Sequence, residues 1–165
     1  MKRVLIAAAV AILLGAGLRA ESGAKSSAGW VTAEPAAPVS VAAGQSATAT
    51  LRFRVADGYH INSNKPKSEL LIPTELKLEP PVGMRISAVS YPEGSEFALS
   101  FDPTEKLSVY SGEFVVTAKL NALRGARAGS YPLNGVLNYQ ACNDRACFPP
   151  KKLPVSLEVK VRSTH

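Results

Sequence analysis

Cys142 and Cys147 are the only thiols in a chain of 165 residues. They stand in the segment Tyr139-Gln140-Ala141-Cys142-Asn143-Asp144-Arg145-Ala146-Cys147-Phe148-Pro149-Pro150, with four residues between them. A turn at that spacing can bring the sulfurs together, so the pair can close a disulfide. Two kinds of chemistry are then open. One is a static staple, the commoner use of a cysteine pair in an exported protein. The other is thiol–disulfide exchange, in which a thiolate attacks a disulfide and a second thiol resolves the mixed species. Chain entropy gives so short a loop only about 2 kcal/mol, against about 5 for a loop of about 100 residues. A pair placed for stability would do better by linking distant strands. Arg145, Lys151 and Lys152 lie close by and favour the thiolate, and Asp144 opposes them. A short loop at a strand end is also easier to reduce than a buried staple.

The start of the chain sets the compartment. Met1-Lys2-Arg3 is basic, Val4 to Gly17 is an apolar run of fourteen residues, and polar sequence begins at Glu21. That is the plan of a secretory signal peptide, and the run is short of the roughly 20 residues that cross a bilayer. Cleavage is expected after Ala20 or Ala24, giving a signal peptide over 1–20 and a small, polar, flexible leader over 21–29. No cysteine follows the run, so a lipid-modified N-terminus is not indicated. The net charge is +6, and loss of Lys2, Arg3 and Arg19 lowers it to +3. An exported chain with so small an excess and no basic run gives no reason to bind nucleic acid. A copper or zinc site built on Cys142, Cys147 and His60 would have three ligands at most, with thiols that must stay reduced outside the cytoplasm. No metal is therefore expected, and no cofactor beyond the two sulfurs.

The elements that must position the pair read as strands. Twelve Gly and twelve Pro, against two Met and one Trp, favour a turn-rich β protein. From Trp30 onward apolar residues recur with period two: Ala47, Ala49, Leu51, Phe53 and Val55; Leu76 and Leu78; Met84, Ile86 and Ala88. The pattern returns at Phe114, Val116, Ala118 and Leu120, then at Leu133, Gly135, Leu137 and Tyr139, and at Leu153, Val155, Leu157, Val159 and Val161. Turn clusters separate the runs at 57–58, 80–83, 92–94 and 124–129. Seven or more short strands at this spacing predict an all-β, immunoglobulin-like antiparallel sandwich over 30–162. The cysteines are too close in sequence to be the inter-sheet bridge of a true immunoglobulin domain. Residues 58–72 and 95–108 do not read as sheet. The second carries Phe97, Leu99 and Phe101, rings and aliphatics that either plug the core or cover a site.

Tyr-Gln-x-Cys, a short insert, then Cys-Phe-Pro-Pro resembles the N-terminal periplasmic domain of the thiol:disulfide interchange protein DsbD. Val55-Ala56-Asp57-Gly58-Tyr59 is similar to that domain's early turn, and Leu107-Ser108-Val109-Tyr110 sits where the family has the strand after its cap loop. The resemblance implies a sandwich whose cysteine pair takes electrons from a thioredoxin-like donor. It implies periplasmic thiol proteins as acceptors, such as disulfide isomerases and cytochrome c maturation factors. Cys147 would then form the mixed disulfide and Cys142 would resolve it. A ring from the segment Phe97 to Phe101 would cap the pair, with Tyr59, His60, Tyr139 and Phe148 as neighbours, and His60 could accept a proton. The family's best-known members carry five residues between the cysteines, not four. An acidic pair expected in the cap loop has only Asp102 and Glu105 as loose counterparts. The family's membrane electron carrier and thioredoxin-like domain have no counterpart in these residues, so electrons are expected from a separate polypeptide. The alternative is a non-catalytic binding or assembly module whose disulfide is a local clip.

Overall fold

Strictly alternating side chains make a strand with one dry and one wet face, and such strands are stable only when the dry faces meet. The computed structural model describes residues 29–99 and 102–163. The expected signal peptide, the leader up to residue 28 and Phe101 lie outside the described residues. Among the described residues there is no helix. One sheet runs in the order β1 (Val31–Ala33), β3 (Ser46–Val55), β9 (Glu113–Ala122), β6 (Met84–Ser90). A second runs β2 (Val39–Ala42), β12 (Lys151–Arg162), β10 (Gly129–Tyr139), β5 (Glu75–Glu79). Their inward residues form one cluster, with Ala49, Phe53, Val116 and Ala118 from the first and Leu133, Leu137 and Val159 from the second fully buried. Within it the Phe53 and Phe114 rings stack 5.1 Å apart. The result is an immunoglobulin-like β-sandwich. One pairing departs from the antiparallel rule, because β2 runs parallel to the end of β12.

A third sheet, in the order β11 (Ala141–Cys142), β4 (His60–Asn62), β8 (Asp102–Tyr110), β7 (Ser95–Leu99), grows out of the other two. Strand β3 feeds β4 through a turn in which the Tyr59 amide donates to the Ala56 carbonyl at 3.1 Å. Gly58 supplies the positive φ of 78° that the third position of such a turn requires. Strand β10 passes into β11 after the single residue Gln140.

Three expectations are corrected. Residues 95–108 are not a loop but most of a β-hairpin, β7 against β8, with Phe97 opposite Leu107. Each arm shows too few alternations for the period to stand out in sequence. Within 58–72, residues 60–62 are a strand pinned between β8 and β11. In β6 the register shifts between Ile86 and Ala88, so Ala88 faces solvent and Val89 packs on the core instead. A bulge of that kind is invisible to a period-two reading.

Candidate functional site

The site is carried by the third sheet. Cys142 and Cys147 are joined by a disulfide, with Cα atoms 4.0 Å apart, and face each other as an isolated antiparallel bridge. The four residues between them close on Asn143. Its amide donates to the Ala146 carbonyl at 2.9 Å, and its side-chain Oδ1 accepts from the Arg145 and Ala146 amides, both at 2.9 Å. An asparagine that satisfies its own turn in this way needs no left-handed residue to reverse the chain. The far side is tied down as well, for the Phe148 amide donates to the Ala141 carbonyl at 2.8 Å.

The two sulfur-bearing residues differ in access. Cys142 is 1% exposed, whereas Cys147 is exposed. Cys142, Leu107 and Val109 are buried yet stand apart from the main core, on the face of the third sheet that also carries Phe97. Cys142 is the ladder partner of His60, and the Phe97 ring lies over the His60 ring at 4.2 Å. Phe97 therefore shields the ladder partner of Cys142, and Cys147 remains open to solvent.

The four buried polar residues described, His60, Asn62, Ser63 and Thr74, gather on β4 and beside it. Asn62 Nδ2 donates to the Ile72 carbonyl at 2.9 Å and to Gln140 Oε1 at 3.3 Å, and Gln140 Nε2 donates to the Phe148 carbonyl at 3.2 Å. A polar relay thus ties β4 to the residue after Cys147. Ser63 accepts from Ser108 at 2.9 Å, and Thr74 donates to the Asn62 carbonyl at 2.6 Å. Two buried atoms have no partner among the described residues, His60 Nε2 and Asn62 Oδ1. A buried polar atom left in that condition costs about 1–3 kcal/mol. Burial also holds the His60 pKa below the usual imidazole value, with the nearby Asp144 carboxylate partly offsetting it.

On the Cys147 side the aromatic residues cluster. Phe148 stacks on Trp30 at 4.5 Å and lies 5.9 Å from Tyr59, while Lys151 Nζ sits 4.3 Å above the Trp30 ring. Tyr139 is elsewhere, 2% exposed in the main core, with its hydroxyl hydrogen-bonded to the Val31 backbone. So Tyr59, His60, Phe97 and Phe148 gather at the pair, and Tyr139 does not face it. Sequence reading missed Trp30, Asn62 and Gln140 as members of the site. The spacing of His60 and Asn62, two apart and therefore on one face, was the available signal for one of them. Glu96, immediately before Phe97 on β7, is paired with Lys67 at 2.6 Å and Lys106 at 2.9 Å. A cleft of about 650 Å³ lies past these pairs, lined by Ser63, Asn64, Lys67, Glu96 and Ser108 among others, and includes neither cysteine.

Residues 27–158 match the family model described as thiol:disulfide interchange protein DsbD, N-terminal. No curated protein matches the chain. Among solved structures, the N-terminal domain of DsbD from Neisseria meningitidis in its reduced form is 26% identical, over 68% of this chain and 77% of that one, with a TM-score of 0.44. The complex between the DsbD N-terminal and PilB N-terminal domains from the same organism is matched at 24% identity, over 66% and 73%, with a TM-score of 0.43. The N-terminal periplasmic domain of ScsB from Proteus mirabilis shares the fold at a TM-score of 0.52 and 19% identity, over 77% of this chain and 44% of that one. With four-fifths of its residues inside the family's bounds and a closed cysteine pair where the family motif stands, the chain belongs to the family of DsbD N-terminal domains.

Proposed function

We propose that this protein is an exported relay of reducing equivalents, exchanging thiol and disulfide through Cys142 and Cys147 with periplasmic partners. Its family supports thiol–disulfide chemistry, and one observation favours a working pair over a clip. The bond joins a residue withdrawn from solvent to one that is open to it. Thiol exchange needs that asymmetry, because an incoming thiolate must reach one sulfur in line while the other leaves as a protected thiol. A clip has no need of it.

In the receiving half, a donor thiolate attacks Cys147 Sγ. The Cys142–Cys147 bond breaks, and Cys142 takes the electron pair and then a proton. A second donor thiol completes the reduction, leaving two thiols here and a disulfide in the donor. In the delivering half, Cys147 attacks an acceptor disulfide, and Cys142 resolves the mixed species. Family resemblance indicates a thioredoxin-like donor, fed by a separate membrane electron carrier, and periplasmic thiol proteins as acceptors. The signal peptide over 1–20 accounts for export.

Trapping tests the assignment. Reduced Cys142→Ala protein should accumulate mixed disulfides with an oxidised thioredoxin-like protein through Cys147, seen as a reductant-sensitive band shift. Reduced Cys147→Ala protein should trap far less, because its remaining thiol is buried. Equal, poor trapping by both variants would contradict the assigned roles.

A further inference from the structure

The exchange just described leaves one buried group at the site without a task. His60 Nε2 is withdrawn from solvent and bonded to nothing among the described residues, although Ser63 and Thr74 next to it have found partners. We propose that His60, through Nε2, accepts the proton of the Cys142 thiol in the resolving half of the exchange; the inference rests on the relay reading above.

Placement comes first. Cys142 and His60 are directly opposed in the β11–β4 antiparallel ladder, so their side chains leave the sheet on the same face, with Cβ atoms about 4.5–5.5 Å apart. The bonded sulfur of Cys142 has no proton to offer. Once the disulfide is reduced, the same position holds an S–H donor, and the orphaned nitrogen gains a partner. The surroundings fit a proton acceptor. Phe97 covers the ring from β7, and Leu107 and Val109 line the same face from β8. Among the described residues, the charge that reaches His60 is Asp144, from the turn between the cysteines. Glu96 of β7 and Lys106 of β8 are exposed and paired with each other. Burial thus keeps the imidazole in the neutral form that can take a proton.

The step balances as follows. In the mixed disulfide, Cys147 Sγ is bonded to the acceptor sulfur and Cys142 is a thiol. The Cys142 proton moves to Nε2, and the thiolate attacks Cys147 Sγ. The Cys142–Cys147 bond forms while the Cys147–acceptor bond breaks, and the acceptor sulfur leaves with the electron pair. That sulfur then takes a proton from the imidazolium or from water. Two electrons have passed from this dithiol to the acceptor disulfide.

An aromatic disulfide reagent that releases a coloured thiolate separates the two halves. Reduced full-length mature protein should release one coloured thiolate when Cys147 attacks and a second when Cys142 resolves. In His60→Gln the first release should stay within about twofold, and the second should slow about 100-fold at neutral pH, as loss of a general base does. In the wild-type protein the second rate should fall as pH drops through the imidazole range. Asp144→Asn should move that fall to lower pH, because it removes the carboxylate that raises the His60 pKa. A second release in His60→Gln with unchanged rate and pH profile overturns the proposal and leaves the relay reading intact. If that variant does not fold, a fall that Asp144→Asn fails to move overturns it equally. Absence of the first release from the reduced wild-type protein overturns the relay reading and this inference together.

Discussion

Single residues set the asymmetry of the disulfide. Asn143 folds the intervening turn onto its own side chain, Gln140 holds the carbonyl of Phe148, and Phe97 lies over His60, the ladder partner of Cys142. His60 has a thermodynamic signature of its own. Its folded-state pKa lies below the unfolded value near 6.5 because burial disfavours the imidazolium. The unfolded chain therefore binds more protons between the two values, and stability must rise with pH through that window. The contribution is complete above about 6.5 and is lost as pH falls below it. Denaturant unfolding of the oxidised protein should show stability falling between pH 7 and 5, with the slope flattened in His60→Gln. Equal slopes in the two proteins would show that His60 does not sense its burial.

Elements hold these residues at two edges of one small sheet, the disulfide on β11 and the Phe97 hairpin at β7. Glu96 tethers that hairpin, since Lys67 of the segment after β4 and Lys106 of β8 grip its carboxylate and hold its pKa down to about 2. The depressed value means that the tether is complete above the ordinary Glu range and is lost only as pH falls towards 2. Exposed ion pairs of this kind hold a segment only weakly, because water and salt screen them. Glu96→Gln should therefore speed reaction of the oxidised protein with a protein dithiol by no more than about fivefold, an effect that salt reproduces in the wild type. A rate unchanged by both would show that the hairpin does not gate access. This scale also marks how far the sequence was legible. Strands β3, β9 and β12 were plain because each runs ten residues or more with clean alternation. The three residues of β4 and the five of β7 are too short to declare a period, so the β7–β8 hairpin read as a loop and Asn62 went unnoticed. The stack of Trp30 on Phe148 joins residues more than a hundred positions apart, and no local pattern encodes it.

At the scale of the whole molecule, the sandwich is a rigid platform for a site at its end. Cys142, Leu107 and Val109 are buried outside the main core cluster, so damage to that core should not tune the disulfide. Leu133 is fully buried between the two large sheets, and Leu133→Ala should cost about 2–5 kcal/mol on unfolding. The redox behaviour of that variant's folded fraction should match the wild type. A shifted potential would show that the core and the disulfide are coupled.

In the proposed relay the Cys142–Cys147 bond opens and closes under physiological thiols. Equilibrating the protein in graded dithiothreitol or glutathione buffers and counting free thiols gives its reduction potential. A working relay predicts a value above about −300 mV, and a value below that, where structural disulfides lie, would contradict it.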